Sequence, residues 1–265
     1  MDHDRAYRHL RVRSEGPVEY VTLDRPDVRN AFNPALVDDL HAWAQTIDDR
    51  PDVRVAVLSG AGRVFCAGGD LAVMASLVDA TREENLADAQ RMAAMFDALD
   101  RLAVPLIGRV HGAALGGGIG LASVCDIVVA ADDAMFAFTE VKLGIVPSVI
   151  SPYALARIGP AAARELFLTG AVFDAARAKA IGLVHEAVPA AELDAAVGRY
   201  VEQFNSAGPE AVRVAKKLIR DVWGRPPAEA AELTVAVLAD RRVSAEGQEG
   251  LRAFLQKRRP SWVTR

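Results

Sequence analysis

Between residues 17 and 60 the hydrophobic pattern changes period twice, and that alternation constrains the fold more than any single motif. Pro17-Val18-Glu19-Tyr20-Val21-Thr22-Leu23-Asp24 alternates apolar and polar side chains, the mark of a half-buried strand. Arg25-Pro26-Asp27 breaks it. From Asn33-Pro34, a cap followed by proline at the first helical position, apolar residues recur at three- and four-residue spacing: Leu36, Val37, Leu40, Trp43, Ala44 and Ile47. Residues 53–60 then read as a more apolar, central strand. Strand, helix and strand in that order predict a right-handed crossover with parallel pairing.

The pattern recurs. Residues 83–102 carry a helical stripe of Leu86, Ala89, Met92, Ala93, Phe96 and Leu99, followed by a strand over 105–110. A helix opens at Gly116 and runs to Val124, and 126–130 and 135–138 are short strands. From about Ala161 the chain reads as helical and rich in alanine. These repeated strand–helix units define an α/β fold, with a core over residues 1–200 and a softer boundary to a helical region over 201–265.

Composition narrows the class. The 265 residues are 51% apolar and 25% charged, enough for one large domain or a domain with an appendage, and wrong for disorder, collagen or coiled coil. No apolar run approaches the ~20 residues a membrane helix needs, and Met1-Asp2-His3-Asp4-Arg5 leads into no signal region. Cys66 and Cys125 are too few for a disulfide framework, so a reduced cytoplasmic setting is expected. His3, His9, His41, His111 and His185 lack ligand spacing, so no metal is expected. The net charge of −4 speaks against a general nucleic-acid binder. It is unevenly placed: residues 201–265 hold 12 Lys+Arg against 8 Asp+Glu, while residues 1–200 hold 19 against 27. Such a basic tail is either a solvated helical face or a contact for an anionic ligand or an acidic neighbouring subunit.

Three segments can carry chemistry. Arg63-Val64-Phe65-Cys66-Ala67-Gly68-Gly69-Asp70-Leu71 follows a strand, and its two glycines let backbone amides approach a ligand; taken alone it reads first as a strand-to-helix turn capped by Asp70. His111-Gly112-Ala113-Ala114-Leu115-Gly116-Gly117-Gly118-Ile119-Gly120-Leu121 places a triple glycine at a helix N-terminus, which suits a phosphate or an oxygen gaining negative charge. It matches neither a dinucleotide fingerprint nor a P-loop, and the small residues also fit tight helix-on-sheet packing. In Phe138-Thr139-Glu140-Val141-Lys142-Leu143-Gly144-Ile145-Val146-Pro147 a carboxylate sits among apolar residues. Burial of that kind raises a carboxyl pKa toward acid–base use near neutrality; the alternative is a surface alternation on an edge strand. His111 reads as hydrogen-bonded structure, Cys66 and Cys125 as inert core thiols, and Arg157 and Arg164 as helix-face charges.

In this order the segments resemble the enoyl-CoA hydratase/isomerase (crotonase) family. The resemblance runs from Asp24-Arg25-Pro26 and Asn30-Ala31, through residues 65–71, 111–127 and 139–147, to Ile181-Gly182-Leu183-Val184 and His185. Ile150-Ser151-Pro152-Tyr153 and Phe173-Asp174-Ala175 resemble bacterial methylglutaconyl-CoA hydratase-like members. The resemblance implies a spiral of ββα units followed by helices that dock subunits into trimers, often paired into hexamers. It implies an oxyanion hole built from the N–H groups of Gly69 and Gly117, closing on a thioester carbonyl, with Glu140 as acid and base. The family's hydratases carry a second glutamate, and the matching position here is Gly120. A syn hydratase of a 2-enoyl-CoA working through Glu140 alone, with Ser148 or Ser151 as candidate helpers, is therefore expected. An isomerase using the same single carboxylate and a non-catalytic acyl-CoA-binding subunit are the alternatives. Coenzyme A, arriving as part of the substrate, would meet Arg29, Ala31, Ala67, Asp70 and Leu71, together with Phe254 and Lys257 from the C-terminal helix, often that of a neighbouring subunit. Residues 74–78 and 92–96 would wall the acyl pocket.

Overall fold

The computed structural model describes residues 7–47 and 49–263. The opening segment with His3 lies outside them. A six-stranded sheet carries β1 (Leu10–Glu15), β2 (Val18–Leu23), β3 (Val55–Gly60), β4 (Leu106–Val110), β6 (Ile127–Ala131) and β9 (Glu186–Val188), in that spatial order. Only β1 and β2 pair antiparallel; every other pair is parallel, as the strand–helix–strand order predicts. A smaller sheet joins β5 (Ala113–Leu115), β7 (Met135–Ala137) and β8 (Val172–Asp174). Two single bridges extend it, Cys66 to Ala114 and Phe32 to Gly69.

These bridges expose a repeat. One pass of the chain gives a strand to the large sheet, a short extended piece to the small one, and then a helix. The passes are β2, Phe32 and α1 (Pro34–Ile47); β3, residues 66–69, and α2 (Leu71–Ser76) with α3 (Arg82–Asp100); β4, β5 and α4 (Gly117–Val124); β6, β7 and α5 (Ser151–Thr169). The result is the ββα spiral that the resemblance implies.

The six residues of the expected α1 stripe are its buried residues, and Asn33 caps the helix by accepting from the Leu36 N–H at 2.8 Å. The α3 stripe is a partial correction. Met95, Phe96 and Leu99 are buried, whereas Leu86 and Ala93 face outward, because α3 packs chiefly on α1 and α4 and these cover only part of its apolar stripe. β1 is an additional edge strand whose alternate arginines hide its pattern. The second half is not purely helical, since β8 and β9 each complete a sheet. After α6 (Ala175–Ala180), residue 200 falls within α7 (Leu193–Ser206). Beyond it come α8 (Pro209–Val222), α9 (Pro227–Val243) and α10 (Ala245–Leu255), which pack mainly on one another and bury little else than Ala230 and Ala253. No helix among the described residues is long and apolar enough to cross a membrane.

Candidate active site

Three successive passes of the spiral bring Gly69, Gly117 and Glu140 together, Gly69 at the end of its extended piece in the small sheet and the other two just after theirs. Segment 66–70 is held on both sides. Cys66 exchanges hydrogen bonds with Ala113 and Leu115 on one flank; on the other, Phe32 donates to the Gly68 carbonyl and accepts from the Asp70 N–H. Successive amides of an extended chain point to opposite sides, so the Gly69 N–H is turned away from Phe32. A Cβ built on Gly68 would lie 3.5 Å from the Gly117 nitrogen, which places the two turns side by side. Among the described residues, the N–H groups of Gly69 and Gly117 donate to no backbone or side-chain acceptor.

Gly117 is the first residue of α4, so its free N–H stands at the positive end of a helix. Gly116, with φ of 48°, makes the turn that aims it; a side chain there would be strained and would stand 3.1 Å from Glu140 Oε1. A Cβ on Gly117 would come within 2.5 Å of the Phe32 ring, and one on Gly69 within 2.5 Å of Met74 Cε. Apolar groups thus line both amides.

Glu140 opens the 3-10 turn Glu140–Leu143 rather than lying on an edge strand. Burial pushes its carboxyl above the ordinary glutamate value, a bond from its own N–H opposing only part of that. Oε2 is buried with no partner among the described residues. An acid–base group needs such a raised pKa and an open acceptor.

Gly120 has no room for a carboxylate. A Cβ there would collide with Ile150 Cγ2 and stand 2.9 Å from Phe96 Cε1 and Cζ. Phe96 meets Phe32 edge-on, with centroids 6.1 Å apart, and leans on Tyr153. The site wall facing Glu140 is therefore apolar. Ile150 and Phe32 are wall residues that short-range sequence patterns do not reveal, because what they fill is contributed by a glycine in another pass.

The remaining expected site residues fall into two places. Ala31 is buried, Ala67 half-buried, and Arg29 and Leu71 exposed around the same two turns. Asp70 points inward: it caps α2 through the Ala72 N–H and pairs with Arg25 at 2.8 Å. Burial works against its ionisation, but that N–H and the guanidinium outweigh it and hold the carboxyl below its ordinary range. Phe254 and Lys257 sit at the exposed end of α10, which packs on α8 and α9. Ser151 donates to the Ser148 carbonyl. His111 binds the Gly62 carbonyl and meets Arg109, the structural role expected of it. Burial pushes the Cys66 and Cys125 thiols up to about 12. Arg157 is a correction: it turns inward and donates to the carbonyls of Ser123, Cys125 and Asp126 at the end of α4. Among the described residues no group of three or more His, Cys, Asp and Glu is placed to hold a metal.

An α/β spiral that sets two unpaired main-chain N–H groups near a half-buried carboxylate is an arrangement able to stabilise an oxyanion next to a proton-transfer site. Comparison with known proteins names the family. Residues 13–265 match the enoyl-CoA hydratase/isomerase family, and the chain belongs to it. It is similar to the crotonyl-CoA hydratase of Syntrophomonas wolfei, 30% identical over 98% of this chain and 100% of that one. The enoyl-CoA isomerase/hydratase of Mycosarcoma maydis is 33% identical over 92% of this chain and 91% of its own length. A crystal structure of an enoyl-CoA hydratase from Shewanella pealeana superposes with a TM-score of 0.93 and 35% identity, covering 98% and 97% of the two chains.

Proposed function

We propose that this enzyme adds water across the 2,3 double bond of an enoyl-CoA, using Gly69 and Gly117 as oxyanion donors and Glu140 as its only catalytic carboxylate. The observation that carries this reading is Glu140 itself, a half-buried carboxylate with a buried, unpartnered oxygen beside Gly116, the residue before the unpaired Gly117 N–H. In the forward step Glu140 takes a proton from water while the water oxygen bonds to C3. The electron pair of the double bond moves onto the thioester, and the two N–H groups hold the resulting enolate oxygen. Glu140 then returns the proton to C2, giving a 3-hydroxyacyl thioester. Gly120 favours a second reading, because a single carboxylate can also carry a proton from C2 to C4 of a 3-enoyl thioester with no water added.

The CoA portion would lie over Arg29, Ala31, Ala67 and Leu71. Phe254, 81% exposed, and Lys257 at the end of the same helix would reach CoA on a neighbouring subunit of a trimer, singly or paired into a hexamer. No further cofactor is required. The absorbance of the conjugated thioester separates the readings: hydration of a 2-enoyl-CoA removes the band, isomerisation of a 3-enoyl-CoA creates it, and a binding protein changes neither. Loss of turnover in Glu140→Gln with CoA-ester binding retained supports the assignment; retained turnover removes it.

A further inference from the structure

The segment that carries the Gly69 amide belongs to no regular strand itself. It is held by one bridge on each side, so its aim depends on whatever fixes its neighbours. On the Phe32 side those neighbours are residues 29–32, and Arg29 and Asn30 both adopt left-handed backbone with φ of 56°. A turn of two such non-glycine residues does not hold itself, and the side chains around it show what does.

Asn30 is fully buried and every polar atom of its amide is used. Oδ1 accepts from the Arg25 N–H at 2.9 Å, and Nδ2 donates to the carbonyls of Ala61, Val64 and Phe65. Arg25 completes the frame from the other side. One arm of its guanidinium donates to the Ala31 carbonyl, and the other meets the Asp70 carboxylate at 2.8 Å. Asp70 directly follows Gly69, and its own N–H donates to Phe32. The two peptides flanking the Phe32–Gly69 bridge are thereby tied through one planar fork.

We propose that Arg25, acting through Asp70 and the Ala31 carbonyl, is a positioning residue that sets the direction of the Gly69 N–H, with Asn30 holding the turn against which it braces. The inference rests on the oxyanion role assigned above to Gly69. Two features separate this role from ordinary packing. Arg25 and Asp70 are 14% and 8% exposed, and a buried ion pair of this kind contributes little net stability against an apolar pair of similar volume. What apolar side chains cannot replace is the fork, which sets both distance and angle. The guanidinium also neutralises a carboxylate that would otherwise stand next to the site where negative charge develops.

The test uses the full-length protein and the double variant Arg25→Met/Asp70→Leu, with Arg25→Lys beside it. Thermal unfolding, steady-state kinetics on a short 2-enoyl-CoA, and the carbon-13 shift of the thioester carbonyl of a bound labelled acyl-CoA are measured together. The double variant is expected to unfold within a few degrees of the wild type while kcat falls on the order of 100-fold, the usual effect of losing one oxyanion donor. KM is expected to stay within about threefold, and the carbonyl shift on binding to shrink toward that of the free ester. Arg25→Lys, which keeps charge but only one arm, is expected to fall between and serves alone if the double variant does not fold. A kcat within threefold of wild type in a folded variant, or an unchanged carbonyl shift, overturns the proposal. A wild-type protein that neither turns over nor shifts the carbonyl overturns the functional reading instead.

Discussion

Replacing Gly120 by alanine tests the packing that closes the second carboxylate position. Two effects oppose each other. Alanine is favoured over glycine inside a helix by about 1 kcal/mol. Against that, the added methyl would sit 2.9 Å from two Phe96 ring carbons and closer still to Ile150 Cγ2, where carbon atoms normally keep roughly 3.5–4.0 Å. Phe96 is pinned between Phe32 and Tyr153, and Ile150 is buried, so neither yields freely. Overpacking of this severity costs about 1–3 kcal/mol, toward the upper end here, leaving a net loss of about 1–2 kcal/mol. For a chain of this size that lowers the melting temperature by roughly 2–8 °C. Calorimetry on Gly120→Ala, Ile150→Ala and the double variant measures it. Ile150→Ala alone should destabilise by about 2–5 kcal/mol, and the double variant should recover about 1 kcal/mol relative to additivity because the closest contact, with Ile150 Cγ2, is gone while that with Phe96 remains. A Gly120→Ala protein as stable as wild type, or strictly additive changes, would refute the reasoning.

Other consequences are quick to check. Glu140→Gln should lower kcat by about 10²- to 10⁴-fold in the thioester absorbance assay. The acid limb of kcat/KM in wild type should lie above pH 4.5, because burial raises the Glu140 carboxyl and the base must be ionised. For the same reason Glu140 binds its proton more tightly in the folded state. Its contribution to stability is complete below pH 4.5 and is lost as pH rises through the raised value. Glu140→Gln should therefore melt higher than wild type at neutral pH and lose that advantage in acid. Cys66 and Cys125, with thiols raised to about 12, should resist a chromogenic disulfide reagent at pH 8 and react once the protein is unfolded. Phe254→Ala and Lys257→Ala should weaken CoA-ester binding only if α10 reaches a neighbouring subunit; light scattering reports the assembly and calorimetric titration the affinity.

Sequence pattern reveals a fold where side-chain period reflects one continuous neighbour. The α1 stripe is legible because all six of its residues are buried, and Asn33-Pro34 marks its start. The α3 stripe misleads because periodicity records what a helix offers, not how far its partner extends. β1 is missed because Arg11 and Arg13 sit on an edge strand, where charge is the normal dress. At the site, the glycine turns and Glu140 are legible, since each is a local signal. The filling of Gly120 by Phe96 and Ile150, the Arg25–Asp70 pair and the inward Arg157 depend on contacts 24 to 45 residues apart, which short-range spacing does not encode.

The outward run of the second pass has an evolutionary meaning. α2 buries no residue, Leu71 and Val78 project from the surface, and the first half of α3 buries none of its residues. The amide immediately before this run, at Gly69, is held from outside it through Cys66 and Phe32. Apart from Ala72, whose N–H meets Asp70, and Met74, which lies against Gly69, residues 71–92 can therefore accumulate substitutions at small thermodynamic risk. Selection should tolerate more variation along this stretch than in the glycine turns.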